Sequence, residues 1–173
     1  MVHARSSLIS TTVEIHNMIE LCEFSIKAHI EYNELRALLA DTLRIDRSQI
    51  VAESEFWNCI ENGPGTAVGL GVFHSNAGFR TLCKWYQARD FREAEFLTSA
   101  ITASLMFNSE VAIGNFIDSP DGSADQFIVI TPAKQFYRAY SLMNTDAFDT
   151  IPVDGNLYDV ESLINQDWEK RSG

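Results

Sequence analysis

The most regular alternation of apolar and turn-forming residues lies between Glu110 and Met143. Val111, Ile113, Phe116 and Ile117 come first, then a turn-rich stretch from Asp118 to Asp125, then the apolar run Phe127 to Ile130. A short Thr131-Pro132-Ala133-Lys134 connection leads to Phe136, Tyr137, Tyr140 and Leu142. Strand-length runs bounded in this way predict a three-stranded antiparallel meander, because Pro120 presets a turn dihedral and Gly122 can adopt positive φ. A second period-two signal lies near the amino terminus, where Cys22, Phe24, Ile26, Ala28 and Ile30 alternate with Glu23, Ser25, Lys27, His29 and Glu31. It predicts a strand over about 21–30. Ile15, Met18, Ile19, Cys22 and Ile26 also fit a helical stripe, so residues 12–31 carry a helical alternative.

The remaining segments fall between these two. Asn33 can cap a helix over 33–44 whose apolar face is Leu35, Leu38, Leu39 and Leu43. The segment QIVAESEFWNCIE at 49–61 reads as a strand with Ile50, Ala52, Phe56 and Ile60 broadly on one side, followed by the turn Asn62-Gly63-Pro64-Gly65. Strands over Thr66–His74 and Phe79–Gln87 flank the turn Ser75-Asn76-Ala77-Gly78. Asp90 and Glu93 have capping-box spacing for a helix over 91–107 with Phe96, Leu97, Ile101, Leu105 and Met106. Val160, Leu163, Ile164 and Trp168 predict a last amphipathic helix over 159–171. The expected fold is one α+β domain over 12–173 behind a loose leader at 1–11: an antiparallel sheet of about six or seven strands with two or three packed helices. Helix followed by three strands occurs twice, over 33–88 and 90–143, which suggests a duplicated α-β-β-β unit.

Composition supports a packed core, since 46% of the 173 residues are hydrophobic. No apolar run is long enough for a membrane helix or a signal-peptide core, so the expected location is the cytoplasm. Cys22, Cys59 and Cys83 are odd in number, widely spaced and set in largely apolar surroundings, as expected of reduced, mostly packed thiols.

Charge adds the functional information. The formal net charge is −11. From Glu110 to Glu169 eleven acidic residues face only Lys134 and Arg138, a local balance of −9. Such a field repels nucleic acid and anionic membrane and attracts a basic protein. Six of those acids lie in expected turns and loops and are the candidate partner-binding residues: Asp118, Asp121, Asp125, Asp146, Asp149 and Asp154.

Catalytic chemistry finds little foothold. Gly63, Gly65, Gly69 and Gly71 lack dinucleotide spacing, the histidines have no spacing that builds a metal triad, and Asp118, Asp121 and Asp125 do not follow the order of a calcium loop. No catalytic residue, cofactor or metal is expected. The segment GTAVGLGVFH resembles the region around the phosphorylated His of fructose and mannitol type phosphotransferase IIA proteins. In that family a glycine-rich apolar strand leads into a Pro-His pair; Gly69, Leu70, Val72 and His74 match, and Phe73 stands where the Pro would be. That resemblance implies a phosphocarrier using His74 as the enzyme-class alternative. The leading expectation is an acidic inhibitor, of the class of bacterial immunity proteins, that covers the active or substrate-binding site of a basic, nuclease-like toxin domain, as a monomer or homodimer. A secretion-chaperone-like protein holding an export substrate is the runner-up.

Overall fold

The computed structural model describes residues 19–61, 67–87, 93–114, 126–142 and 147–153. They form an α+β structure with one sheet of eight strands: β1 (Glu20–Ile26), β2 (Ile50–Ala52), β3 (Val68–His74), β4 (Thr81–Gln87), β5 (Val111–Gly114), β6 (Gln126–Ile130), β7 (Phe136–Ser141) and β8 (Thr150–Pro152). The strand order is β2-β3-β4-β1-β5-β6-β7-β8, with β2 and β3 parallel and every other pair antiparallel. The helices are α1 (Tyr32–Leu43), α2 (Glu53–Glu61) and α3 (Glu93–Met106).

Alternation along β1 becomes burial. Cys22, Phe24 and Ile26 enter the core, and the register sets them beside Trp85, Cys83 and Thr81 of β4, all of them buried. This inner face is covered by Leu35, Leu38, Leu39 and Leu43 of α1 and by Leu97, Ala100, Ile101 and Ala103 of α3. Fully burying a Leu or Phe side chain contributes about 1.5–3 kcal/mol. Where α1 and α3 meet, the Ser99 hydroxyl donates to Thr42 Oγ1 at 2.9 Å, so the polar groups of the contact are satisfied.

The N-cap of α1 lies two residues before the expected one. Glu31 occupies the N-cap, and its backbone N–H donates to Glu34 Oε2 at 3.1 Å, while Asn33 lies inside the first turn. At the other end Arg44 adopts the left-handed conformation, φ 55°, and Ile45 N–H donates to the Ala40 carbonyl, ending the helix.

Two elements depart from the sequence expectation. Residues 49–61 do not form one strand: β2 stops at Ala52 and α2 runs from Glu53 to Glu61. The cause lies in β3, where Gly69 and Gly71 carry no side chain on the outer face. A Cβ at Gly69 would come within 2.6 Å of Phe56, so the bare backbone is what admits the helix. Glu53 and Glu55 in the first turn of α2 are also favoured by the helix dipole. With α2 as crossover, β2 and β3 run parallel, as strands joined through a helix can. The half at 33–88 therefore reads helix, strand, helix, strand, strand, and among the described residues that order is not repeated after α3. The second departure is β8, read from sequence as loop, which pairs three residues with β7. Three residues are too few to show a period.

On the outer face beyond β1, Phe148 packs on Phe79 and Phe127 with ring centroids 5.3 and 4.8 Å away. Phe79 N–H donates to the Phe148 carbonyl at 2.8 Å, tying the β3–β4 turn to the segment before β8. The leader 1–11, the turn Asp118–Asp125 and the expected helix 159–171 lie outside the described residues. Among the described residues no helix is long and apolar enough to cross a membrane.

Gly78 is the tight point of that contact. Its φ is +63°, and a Cβ there would collide with the Phe148 carbonyl oxygen. Gly78→Ala is expected to lower stability by ~1–3 kcal/mol in urea unfolding, from backbone strain and loss of the Phe79–Phe148 bond. Unchanged stability would show that the contact is dispensable.

Candidate functional site

The antiparallel registers place nine outer-face residues in three rows across β1, β4 and β3. The rows are Leu21, Tyr86, Gly69; then Glu23, Lys84, Gly71; then Ser25, Leu82, Phe73. Helix α2 covers the first corner: Phe56 is fully buried against Gly69, and Trp57 and Phe56 lie 5.2 and 6.0 Å from the Tyr86 ring. The Phe148 cluster covers the β5–β7 side of the same face. Among the described residues nothing covers the face between these two. Leu21 is 49% exposed and Phe73 50% exposed, large values for apolar side chains on a sheet.

The middle row is charged. Lys84 Nζ lies 3.3 Å from Glu23 Oε2 and 5.9 Å from the Phe73 ring centroid, so one ammonium engages both a carboxylate and an aromatic face. The Glu53 carboxylate occupies the space that a side chain at Gly71 would take. Burial pushes the Tyr86 hydroxyl above its usual range, and the hydrogen bond to Glu53 and the negative charges of Glu53 and Glu23 push it further.

A second cluster joins residues far apart in sequence. His29, just after β1, and His74, the last residue of β3, stack with ring centroids 4.0 Å apart and planes inclined by 22°. His74 Nε2 is 2.8 Å from the Ile30 carbonyl, where it acts as donor, and His29 Nε2 is 3.1 Å from Glu31 Oε1. Thr81 holds the same corner, its hydroxyl donating to the Ala28 carbonyl and accepting from Ile30 N–H. Planes so nearly parallel do not converge on one ion at the ~2.0–2.1 Å that a zinc–imidazole bond requires. Among the described residues no group of three or more His, Cys, Asp or Glu is placed to hold a metal.

Of the six aspartates singled out from sequence, Asp149 is among the described residues. It is half-buried, and its Oδ1 accepts from Thr150 N–H at 2.9 Å. Its backbone carbonyl accepts from Leu142 N–H, and its charge, after the Glu110 carboxylate, helps raise the Lys27 ammonium. Asp118, Asp121, Asp125, Asp146 and Asp154 lie outside the described residues. Sequence reasoning missed Leu21 and Phe73. Leu21 sits on the polar phase of the β1 alternation, and Phe73 on the phase of Gly69 and Gly71, so only the phase could have marked them.

The cysteines divide as well. Cys22 and Cys83 are buried, whereas Cys59 is exposed on α2, so the thiols are packed at two of the three positions. Complete burial raises the Cys83 thiol far above its usual value, with Cys22 adding to the shift. In native protein at pH 8, a disulfide reagent should label one thiol rapidly at Cys59 and the other two only on unfolding. Rapid labelling of Cys83 would contradict the packing of β4 against β1.

No family model, curated protein or solved structure shows a significant match to this chain.

Proposed function

We propose that the chain is an acidic protein-binding inhibitor that neutralises a basic, nuclease-like toxin domain by covering its active or substrate-binding site. The observation that carries this reading is the net charge of −11, with a balance of −9 between Glu110 and Glu169. A site shaped for nucleic acid is cationic, and an acidic surface of matching field is steered to it and competes with the natural ligand. The aspartates at 118, 121, 125, 146 and 154 supply that field, while Asp149 also holds the chain before β8. Binding and inhibition are then the same event.

A specific observation favours the secretion-chaperone-like reading as second. Tyr140 and Ile151 face each other across β7 and β8, and both are exposed together with Val153 at the end of the sheet. An apolar strand edge of this kind suits an extended export segment, whose binding depends little on salt.

The two readings separate in one experiment. Basic proteins retained on the immobilised chain are identified, and affinity is measured across a salt series for two charge-reversal variants. One carries Lys at 118, 121 and 125, the other Lys at 146 and 154, with Asp149 kept because Thr150 depends on it. Binding should weaken as salt rises, with ~2–5 kcal/mol lost where a reversed carboxylate is central and ~0–1 kcal/mol at the rim. Salt-insensitive binding untouched by both reversals but abolished by Ile151→Asp would replace the inhibitor with the chaperone.

A further inference from the structure

The outer face of the sheet is closed at both ends by the protein's own side chains and, among the described residues, open between them. The open part has two exposed apolar anchors, Leu21 and Phe73, on either side of a charged row. A half-exposed aromatic ring beside charged side chains offers apolar area that a partner can cover. The Lys84 ammonium, 5.9 Å from the ring centroid, favours this position of the Phe73 ring. A ring positioned in this way loses little conformational freedom when a partner covers it.

The charge around the anchors indicates what kind of surface fits. Glu23 lies on the strip and Glu53 beside it, and Lys84 is the basic residue among its nine positions. Glu23 keeps Lys84 engaged, and the Glu53 carboxylate occupies the space over Gly71.

We propose that this strip is a contact face for a folded basic protein, with Phe73 and Leu21 as its apolar anchors and Glu23 and Glu53 as acceptors for arginine or lysine. The proposal deepens the inhibitor reading and rests on it, because it assigns to that partner a second region besides the aspartate-rich loops. The loops act at long range and set the encounter rate, whereas the strip acts at contact and slows dissociation. The partner surface that fits has arginine or lysine adjacent to a large apolar side chain, so that the cation meets Glu53 or Glu23 while the apolar group covers Phe73.

The test uses a displayed library of random twelve-residue peptides panned against the whole chain. Enriched peptides should combine Arg or Lys with an apolar residue, and their addition should shift the amide signals of Leu21, Glu23, Phe73, Leu82 and Lys84. Phe73→Ser and Leu21→Ser, both exposed positions, should keep the unfolding midpoint and weaken peptide binding at least tenfold. Leu105→Ser, exposed on α3 across the sheet, should leave it unchanged. Peptides that are not basic, signals that shift elsewhere, equal binding by the Ser variants, or no enrichment at all would each overturn the strip as a contact face. Such a failure is distinct from failure of the inhibitor reading, which stands or falls on the aspartate reversals and the salt series.

Discussion

Everything in the sheet depends on β1 lying at its middle. Seven residues from Glu20 to Ile26 pair with β4 on one side, and the end of the strand pairs with β5 on the other. Beyond the ladder the same junction continues: Lys27 N–H donates to the Glu110 carbonyl, Ala28 N–H to Ser109 Oγ, and Lys27 Nζ sits 3.0 Å from Glu110 Oε2. Without β1 the strands β2–β4 and β5–β8 would be two small sheets, each with an apolar face too narrow for α1 and α3 to cover together. The strand is therefore both backbone bridge and core, with Cys22, Phe24 and Ile26 meeting side chains from both helices.

From that constraint the two faces take different roles. The inner face is dry, continuous and capped by helices, and it supplies the stability of the fold. The outer face is covered piecemeal, by α2 over the glycines of β3 and by Phe148 over Phe79 and Phe127. The open region between these covers is bounded by rigid strands, so residues exposed there are held in a defined arrangement. That is the physical basis for giving a binding role to Leu21 and Phe73.

How much of this was legible in the residues depends on where the information lies. β1 and β4 were readable because apolar side chains at every second position coincide with burial on one face, and the meander because its apolar runs are bounded by turn formers. Helix α2 was not, because Phe56 and Ile60 fit a strand as well as a helix, and the deciding fact, the bare backbone of Gly69 and Gly71, stands thirteen residues further on. The cap of α1 moved from Asn33 to Glu31 for a local reason: Glu31 and Glu34 satisfy the capping bonds between them. The encounter of His29 with His74 required the strand order β3-β4-β1, which no local pattern contains. Asp149 was rightly placed near a loop, yet its inward bond to Thr150 depends on β8, which the sequence did not display.

The central claim is that one strand unites both halves into a single cooperative core, and native-state hydrogen exchange tests it most directly. The amides of Cys22 and Phe24 in β1, Cys83 in β4 and Ile128 in β6 are expected to exchange only through global unfolding, with one common free energy and one common denaturant dependence. If β5–β7 exchange in a separate, lower-energy step while β2–β4 stay protected, or if the β1 amides open before either, the sheet is not organised around β1 and the account fails.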